Sequence, residues 1–258
     1  MYATASLQNA RTPVIGDVSV TNSTSTSPCQ IRCSSCTLKH VCLPMGLTTE
    51  DVERLDNVVY FHRPVKRGQP LYRSGAPFNA IYAIRVGSFK AAVVHDDGRE
   101  QVTGFQMAGE LIGLDGISTE KHTCDAIALE DSEVCVIPFQ HLEKLCRESE
   151  TMQRHVHKIM SSEIVGKHGL MLMLGNMHAE ERLATFLLNL SQRLKARGYS
   201  PIAFQLRMSR AEIGSYLGMK LETVSRTFSK FQDQGLINTQ QKKIEITDLE
   251  GLKHIIGR

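Results

Sequence analysis

Arg210-Ala211-Glu212-Ile213-Gly214-Ser215-Tyr216-Leu217-Gly218-Met219-Lys220-Leu221-Glu222-Thr223-Val224-Ser225-Arg226 decides the fold of the C-terminal third. Ile213, Leu217 and Val224 are spaced to make apolar contacts between two helices. Gly214 lets those helices approach, and Gly218 takes the positive φ that a tight turn between them needs. This is a helix-turn-helix with one departure, because Thr227 stands where a larger aliphatic residue is usual. The second helix brings Glu222, Ser225 and Arg226 to one face at spacings of three and four. In a DNA major groove Arg grips guanine O6 and N7, Glu accepts from cytosine N4, and Ser is permissive. Double-stranded DNA is therefore the expected partner; a charged, solvated face is the plainer reading of the same side chains. Gly235-Leu236-Ile237 and Lys243-Ile244-Glu245-Ile246 read as a β-hairpin that closes a winged helix over residues 178–258.

Charge agrees with that placement. Residues 179–258 carry 13 Lys and Arg against 8 Asp and Glu, while the other 178 residues carry 17 against 19, so the basic excess belongs to the helix-turn-helix third. A length of 258 residues favours two domains, and 41% hydrophobic with 22% charged residues suits a folded chain. No apolar run reaches the roughly 18 residues of a membrane span, and residues 1–28 lack the pattern of a signal peptide, so a cytoplasmic protein with no membrane partner is expected. Residues 1–28, rich in Ser and Thr, read as a disordered tail.

Upstream of the helix-turn-helix the pattern changes period. Thr48-Thr49-Glu50-Asp51 before Val52 and Leu55 predicts the start of a short helix. Over residues 51–138, β-prone runs (Ala80-Ile81-Tyr82-Ala83-Ile84, Phe89-Lys90-Ala91-Ala92-Val93-Val94, Glu133-Val134-Cys135-Val136-Ile137) alternate with Gly68, Gly75, Gly87, Gly98 and Gly109. That spacing predicts an antiparallel sandwich or barrel. Residues 139–177 contain no proline and predict one long helix. Met152, Val156, Ile159, Glu163, Gly166, Leu170, Met173 and Met177 form a stripe along it in steps of four and three. The stripe either lies on the chain's own sandwich or forms a homodimer seam that Glu163 and Gly166 weaken at its centre.

The seven cysteines are Cys29, Cys33, Cys36, Cys42, Cys124, Cys135 and Cys146, an odd number crowded into residues 29–50 and a few distal sites. Such crowding argues for metal binding or redox chemistry rather than a disulfide framework. Closely spaced thiolates wrap a soft metal centre. A zinc site is one reading, although it ordinarily uses a second close-spaced pair, which is missing here. An iron–sulfur cluster with a distal fourth ligand is the other. The chain has no phosphate-binding glycine loop and no His-Glu-x-x-His. An electron carrier would leave the helix-turn-helix unexplained, so a non-enzyme is expected.

Taken in order, the cysteine loop, β-rich segment, long helix and winged helix resemble the CRP/FNR superfamily of bacterial transcription regulators. The cysteines together with Glu222-x2-Ser225-Arg226 resemble its oxygen-sensing FNR branch. The resemblance implies an α+β fold: an N-terminal β-roll like the cyclic-nucleotide-binding jelly roll, a long dimerisation helix and a C-terminal winged helix-turn-helix. It implies a [4Fe-4S] cluster on Cys33, Cys36, Cys42 and Cys135, with Cys29 a non-ligand neighbour and Cys124 and Cys146 outside the site. It implies a homodimer whose interface includes Met152, Val156, Ile159, Glu163, Ile164, Lys167 and Leu170, an inverted repeat of TTGAT as operator, and contact with RNA polymerase through loops such as His95-Asp96-Asp97-Gly98. An acidic residue usual one turn after Ile164 is Lys167 here, so subunit repulsion falls to paired lysines or to Glu163, and Glu163→Leu is expected to strengthen the dimer. Cyclic-nucleotide-binding relatives instead carry Gly-Glu-Leu followed by Arg-Ser/Thr-Ala. Gly109-Glu110-Leu111 is present, but the later stretch reads Lys121-His122-Thr123-Cys124, with His122 in place of the arginine that pairs with the phosphate.

Overall fold

The computed structural model describes residues 32–59, 61–95 and 97–257; the expectations for residues 1–28, for Cys29 and for Asp96 lie outside these. Helix α1 (Thr49–Asp56) begins where the Thr-Thr-Glu-Asp run predicts, the Thr48 side chain accepting from Asp51 N at 3.2 Å. Eight strands follow: β1 (Phe61–Val65), β2 (Pro70–Tyr72), β3 (Ala80–Val86), β4 (Ser88–Val94), β5 (Glu100–Met107), β6 (Leu111–Ile112), β7 (Asp125–Ala128) and β8 (Ser132–Pro138). They make two antiparallel sheets, β1-β8-β3-β6 and β2-β7-β4-β5, whose inner faces share Leu71, Tyr72, Ile84, Phe89, Ala126 and Val134. This is the expected β-roll. Side chains alternate along β8: Val134 enters that inner core, while Cys135 and Ile137 face a second cluster outside it, with Leu43, Leu55, Leu142, Leu145 and Met152.

The expected single helix over residues 139–177 is two helices, α2 (Phe139–Glu148) and α3 (Glu150–Asn176). They part at Ser149, which is extended at φ −130° and ψ 111°. Its hydroxyl accepts from Met152 N at 3.2 Å and donates to the buried Asp51 carboxylate at 2.7 Å, so it caps α3 and ties it to α1. A serine cap needs neither proline nor glycine, so the break escapes a search for helix breakers.

The C-terminal region contains α4 (Ala179–Ala196), β9 (Ala203–Gln205), α5 (Arg210–Leu217), α6 (Leu221–Asp233), β10 (Ile237–Gln240), β11 (Lys243–Ile246) and α7 (Leu249–Ile256). The expected hairpin is β10–β11, and β9 adds a third strand in the order β10-β11-β9. The core of this region reaches into the roll through Val102, Phe105 and Leu129. At that junction Ser215 Oγ accepts from Val102 N at 2.9 Å and donates to Glu100 O at 3.2 Å, and Lys90 bridges Glu100 at 2.6 Å and Glu212 at 3.2 Å. Among the described residues no helix is long and apolar enough to cross a membrane.

Candidate nucleic-acid interface and cysteine site

The helix-turn-helix is built locally. Ser209 Oγ accepts from Glu212 N at 3.2 Å while Glu212 Oε2 accepts from Ser209 N at 2.7 Å, a reciprocal cap that starts α5. The helix ends at Gly218, whose φ of +62° lies in the left-handed region. A Cβ on Gly214 would stand 2.6 Å from Met219 O and 3.4 Å from Val224 Cγ2, so only glycine allows this approach. Ile213, Leu217 and Val224 are each 0% exposed between the two helices. Thr227 is buried with them, and its hydroxyl donates to Thr223 O at 2.8 Å, which removes the cost of a polar group at an apolar position. On the opposite face of α6, Glu222, Ser225 and Arg226 are all exposed. Lys220, just before α6, and Lys243 on the wing are exposed cations that the motif reading did not single out.

If Arg226 and Glu222 read bases, Arg226→Ala should weaken specific-site binding by about 1 to 3 kcal/mol and leave affinity for random DNA nearly unchanged, while Glu222→Ala should relax base choice at one position. Equal loss on specific and random sequences in a gel-shift comparison would make them phosphate contacts.

The cysteine loop meets β8 at the outer cluster. Cys33, Cys42 and Cys135 pack against the outer cluster, and Ser34 anchors their loop to α1 through Asp56, at 3.1 Å from its amide and 2.6 Å from its hydroxyl. Burial pushes the Cys33 thiol up, and Cys42, Cys135, Asp56 and Cys36 push it further. Burial pushes Cys135 up to about 12, with Cys42 and Cys36 adding to it. Cys42 rises to about 11, chiefly through burial. Cys124 is buried in the roll interior and raised to about 12 by burial and Asp115, and Cys146 stands on α2 with Glu143 as its charged neighbour. Cys124 shares none of their packing; Cys146 packs against the same outer cluster, but its charged neighbour is Glu143 and not the other thiols. Among the described residues no three His, Cys, Asp or Glu side chains are close enough to hold one metal ion. A single zinc draws four sulfurs to about 2.3 Å of one point, whereas a four-iron cluster takes its four thiolates on separate irons. The all-thiol donor set suits the cluster.

Helix α3 packs some of its apolar side chains inside its own chain and leaves others exposed. Met152 is 0% exposed in the chain's own outer cluster, where Val156 and Ile159 also pack, and Leu170 packs on the C-terminal core. Glu163, Ile164, Lys167 and Met171 line a cavity between α3 and the roll, and Lys167 Nζ donates to Thr103 O at 2.9 Å. Burial raises the Glu163 carboxyl, with Lys167, Glu110 and Arg193 of the same chain as its charged neighbours. Ile164 and Met171 line the same cavity yet remain 57% and 65% exposed, Val165 and Leu172 are exposed beside them, and so are Glu163 and Lys167. Ser161, Ile164, His168, Met171 and Gly175 follow steps of three and four along one face of α3, all exposed.

Residues 181–255 match the Crp-like helix-turn-helix domain, and residues 62–149 match the cyclic nucleotide-binding domain. The chain is 47% identical to the transcriptional regulatory protein btr of Bordetella pertussis, over 90% of this chain and 96% of that protein. It is 46% identical to the transcriptional activator protein anr of Pseudomonas aeruginosa, over 85% and 90%. The chain belongs to the CRP/FNR family, on its FNR-type branch. It is 39% identical to the fumarate and nitrate reduction regulatory protein of Escherichia coli, over 89% of this chain and 92% of that one. The structure of FixK2 from Bradyrhizobium japonicum superposes with a TM-score of 0.70 at 29% identity, over 75% of this chain and 96% of that one. This FNR-type regulator is a DNA-binding, dimeric transcription factor and not an enzyme.

Its roll carries a cavity of about 690 Å³ between the sheets and α3, lined largely by apolar groups such as Val93, Leu111, Ile112, Leu114 and Met160. The residues that would mark a phosphate site are spent elsewhere. His122 is 2% exposed, stacked 3.6 Å from the Tyr72 ring and 3.4 Å from Asp115. Lys121 is not in the lining, and Lys167, which is, already donates to Thr103 O. A cyclic phosphate would meet no free fork of donors there.

Proposed function

We propose that this FNR-type regulator holds a [4Fe-4S] cluster on Cys33, Cys36, Cys42 and Cys135, and that oxygen, by removing it, weakens the homodimer and its grip on a TTGAT inverted repeat. The observation that carries the reading is the packing of Cys33 and Cys42 of the loop against the same cluster as Cys135 of β8, on the face of the roll where α3 begins. When bound, such a cluster supplies an oxygen-reactive iron centre that keeps four thiolates together.

Two contacts pass the loop's position to α3. His155 on α3 bonds through Nε2 to Leu43 O at 2.7 Å, next to Cys42, and Ser149 at the start of α3 donates to Asp51 on α1. Drawing the loop onto β8 thus fixes the helix whose exposed apolar side chains meet a second copy. With the loop freed, nothing draws Cys33, Cys36 and Cys42 to Cys135, and both ties loosen. A seam interrupted by Ser161 and His168 is weak enough for a shift of a few kcal/mol to decide assembly. Two paired subunits present two α6 helices to successive major grooves of a two-fold site, with Glu222, Ser225 and Arg226 on the bases. The β4–β5 turn at residues 95–98 is our candidate contact for RNA polymerase. Free thiols of this kind belong in a reducing cytoplasm.

Protein purified without oxygen should contain on the order of four irons and four sulfides per chain. Stoichiometric zinc without iron would establish a structural metal site instead, and tight binding of a cyclic nucleotide to iron-free protein would establish the other branch of the family.

A further inference from the structure

Glu110 lies between β5 and β6, within Gly109-Glu110-Leu111, and its carboxylate is fully engaged inside the chain. Oε1 accepts from Arg193 Nε at 3.0 Å and Arg197 Nη2 at 2.6 Å; Oε2 accepts from Arg193 Nη2 at 2.6 Å and Met107 N at 3.1 Å. Both arginines also hold the backbone of the roll, Arg193 Nη2 donating to Phe105 O at 2.7 Å and Arg197 Nε to Ala108 O at 2.5 Å. The Arg197 side chain is only 6% exposed, so water competes little for these bonds. Arg193 and Arg197 sit at the C-terminal end of α4, the helix on which the helix-turn-helix is built. At its other end Arg182 Nη1 donates to Leu217 O at 3.0 Å, at the last residue of α5.

The same turn abuts the cysteine loop on its other side. Gly109 has φ +89°, and a Cβ there would stand 2.8 Å from Val41 Cγ2 and 3.1 Å from Val41 O, so Val41, the residue before Cys42, rests directly on it.

We propose that Glu110, with Arg193 and Arg197, is the joint through which the cysteine loop positions the DNA-binding domain. The turn at residues 108–110 is in contact with the loop on one side and anchors α4 on the other. A change in the packing of Val41 moves the atoms that hold both arginines, and α4 carries the change to α5. The joint is separate from the seam of α3, so the loop acts on assembly and on domain placement by two different contacts. The proposal rests on the cysteine-centred reading above.

The test uses full-length protein purified without oxygen and two substitutions: Glu110→Gln, which keeps the shape and removes the charge, and Arg197→Lys, which keeps the charge and loses the fork. Iron content should match wild type in both. Amide hydrogen exchange should rise by about tenfold at residues 38–46 and at the end of α4 together, because one joint ties both segments down. The ratio of specific-site affinities before and after exposure to air should fall by at least about fivefold, with random-DNA affinity unchanged. Faster exchange confined to residues 107–111 overturns the joint, as does an unchanged affinity ratio in both variants. If wild type itself binds DNA equally before and after air, the oxygen reading fails, and the joint stands or falls on the exchange result alone.

Discussion

Serine at any one of Cys33, Cys36, Cys42 or Cys135 should leave protein purified without oxygen colourless and nearly free of iron, and specific-site affinity should drop to that of air-exposed wild type. A neutral hydroxyl is a poor replacement for a thiolate on iron. Cys33 and Cys42 of the loop pack against the same cluster as Cys135 of β8, and with all four proposed as ligands the loss of any one opens the site. Cys124→Ser and Cys146→Ser should retain full iron content, since the first lies inside the roll and the second on α2. Iron and sulfide analysis of the six variants is sufficient. Retention of iron by Cys135→Ser, or its loss from Cys124→Ser, would refute the ligand set.

The second large effect concerns the exposed apolar side chains of α3. Ile164→Ala should weaken the dimer by about 2 to 3 kcal/mol, roughly 30- to 150-fold in dissociation constant, because a symmetric seam feels each substitution twice. Met171→Ala should act in the same direction. Met152→Ala should leave association little changed and instead lower folding stability by about 2 to 5 kcal/mol, as a cavity opened in the chain's own core does. Glu163→Leu, in the cavity between α3 and the roll with Lys167, Glu110 and Arg193 as its charged neighbours, should not yield the strengthened dimer that its place in the sequence stripe first led us to expect. Sedimentation of the oxygen-free proteins, with denaturant unfolding of Met152→Ala, separates the cases. An Ile164→Ala dimer as tight as wild type would move the seam off this face.

How much of this is legible in the sequence follows from how local each feature is. The helix-turn-helix is read correctly because a capping serine, an approach glycine, a turn glycine and three apolar contacts all lie within residues 209–224. The roll is legible through glycines spaced at strand ends, since Gly68, Gly75, Gly87, Gly98 and Gly109 all adopt positive φ. Helix α3 is harder. Some of its apolar side chains pack inside the chain and others stay exposed, and periodicity cannot say which. The convergence of Cys135 with the N-terminal loop depends on the strand order β1-β8-β3, and only the family resemblance points to it. Glu110 is invisible to motif reading for the same reason. Its partners lie 83 and 87 residues downstream, and only the docking of α4 on the roll brings them within reach.

The most direct test of the account is the affinity of one oxygen-free wild-type preparation for a TTGAT inverted repeat, measured before and after exposure to air. The account predicts tight, specific binding that falls with loss of iron to the level of random DNA. Specific binding that survives complete loss of iron would contradict it.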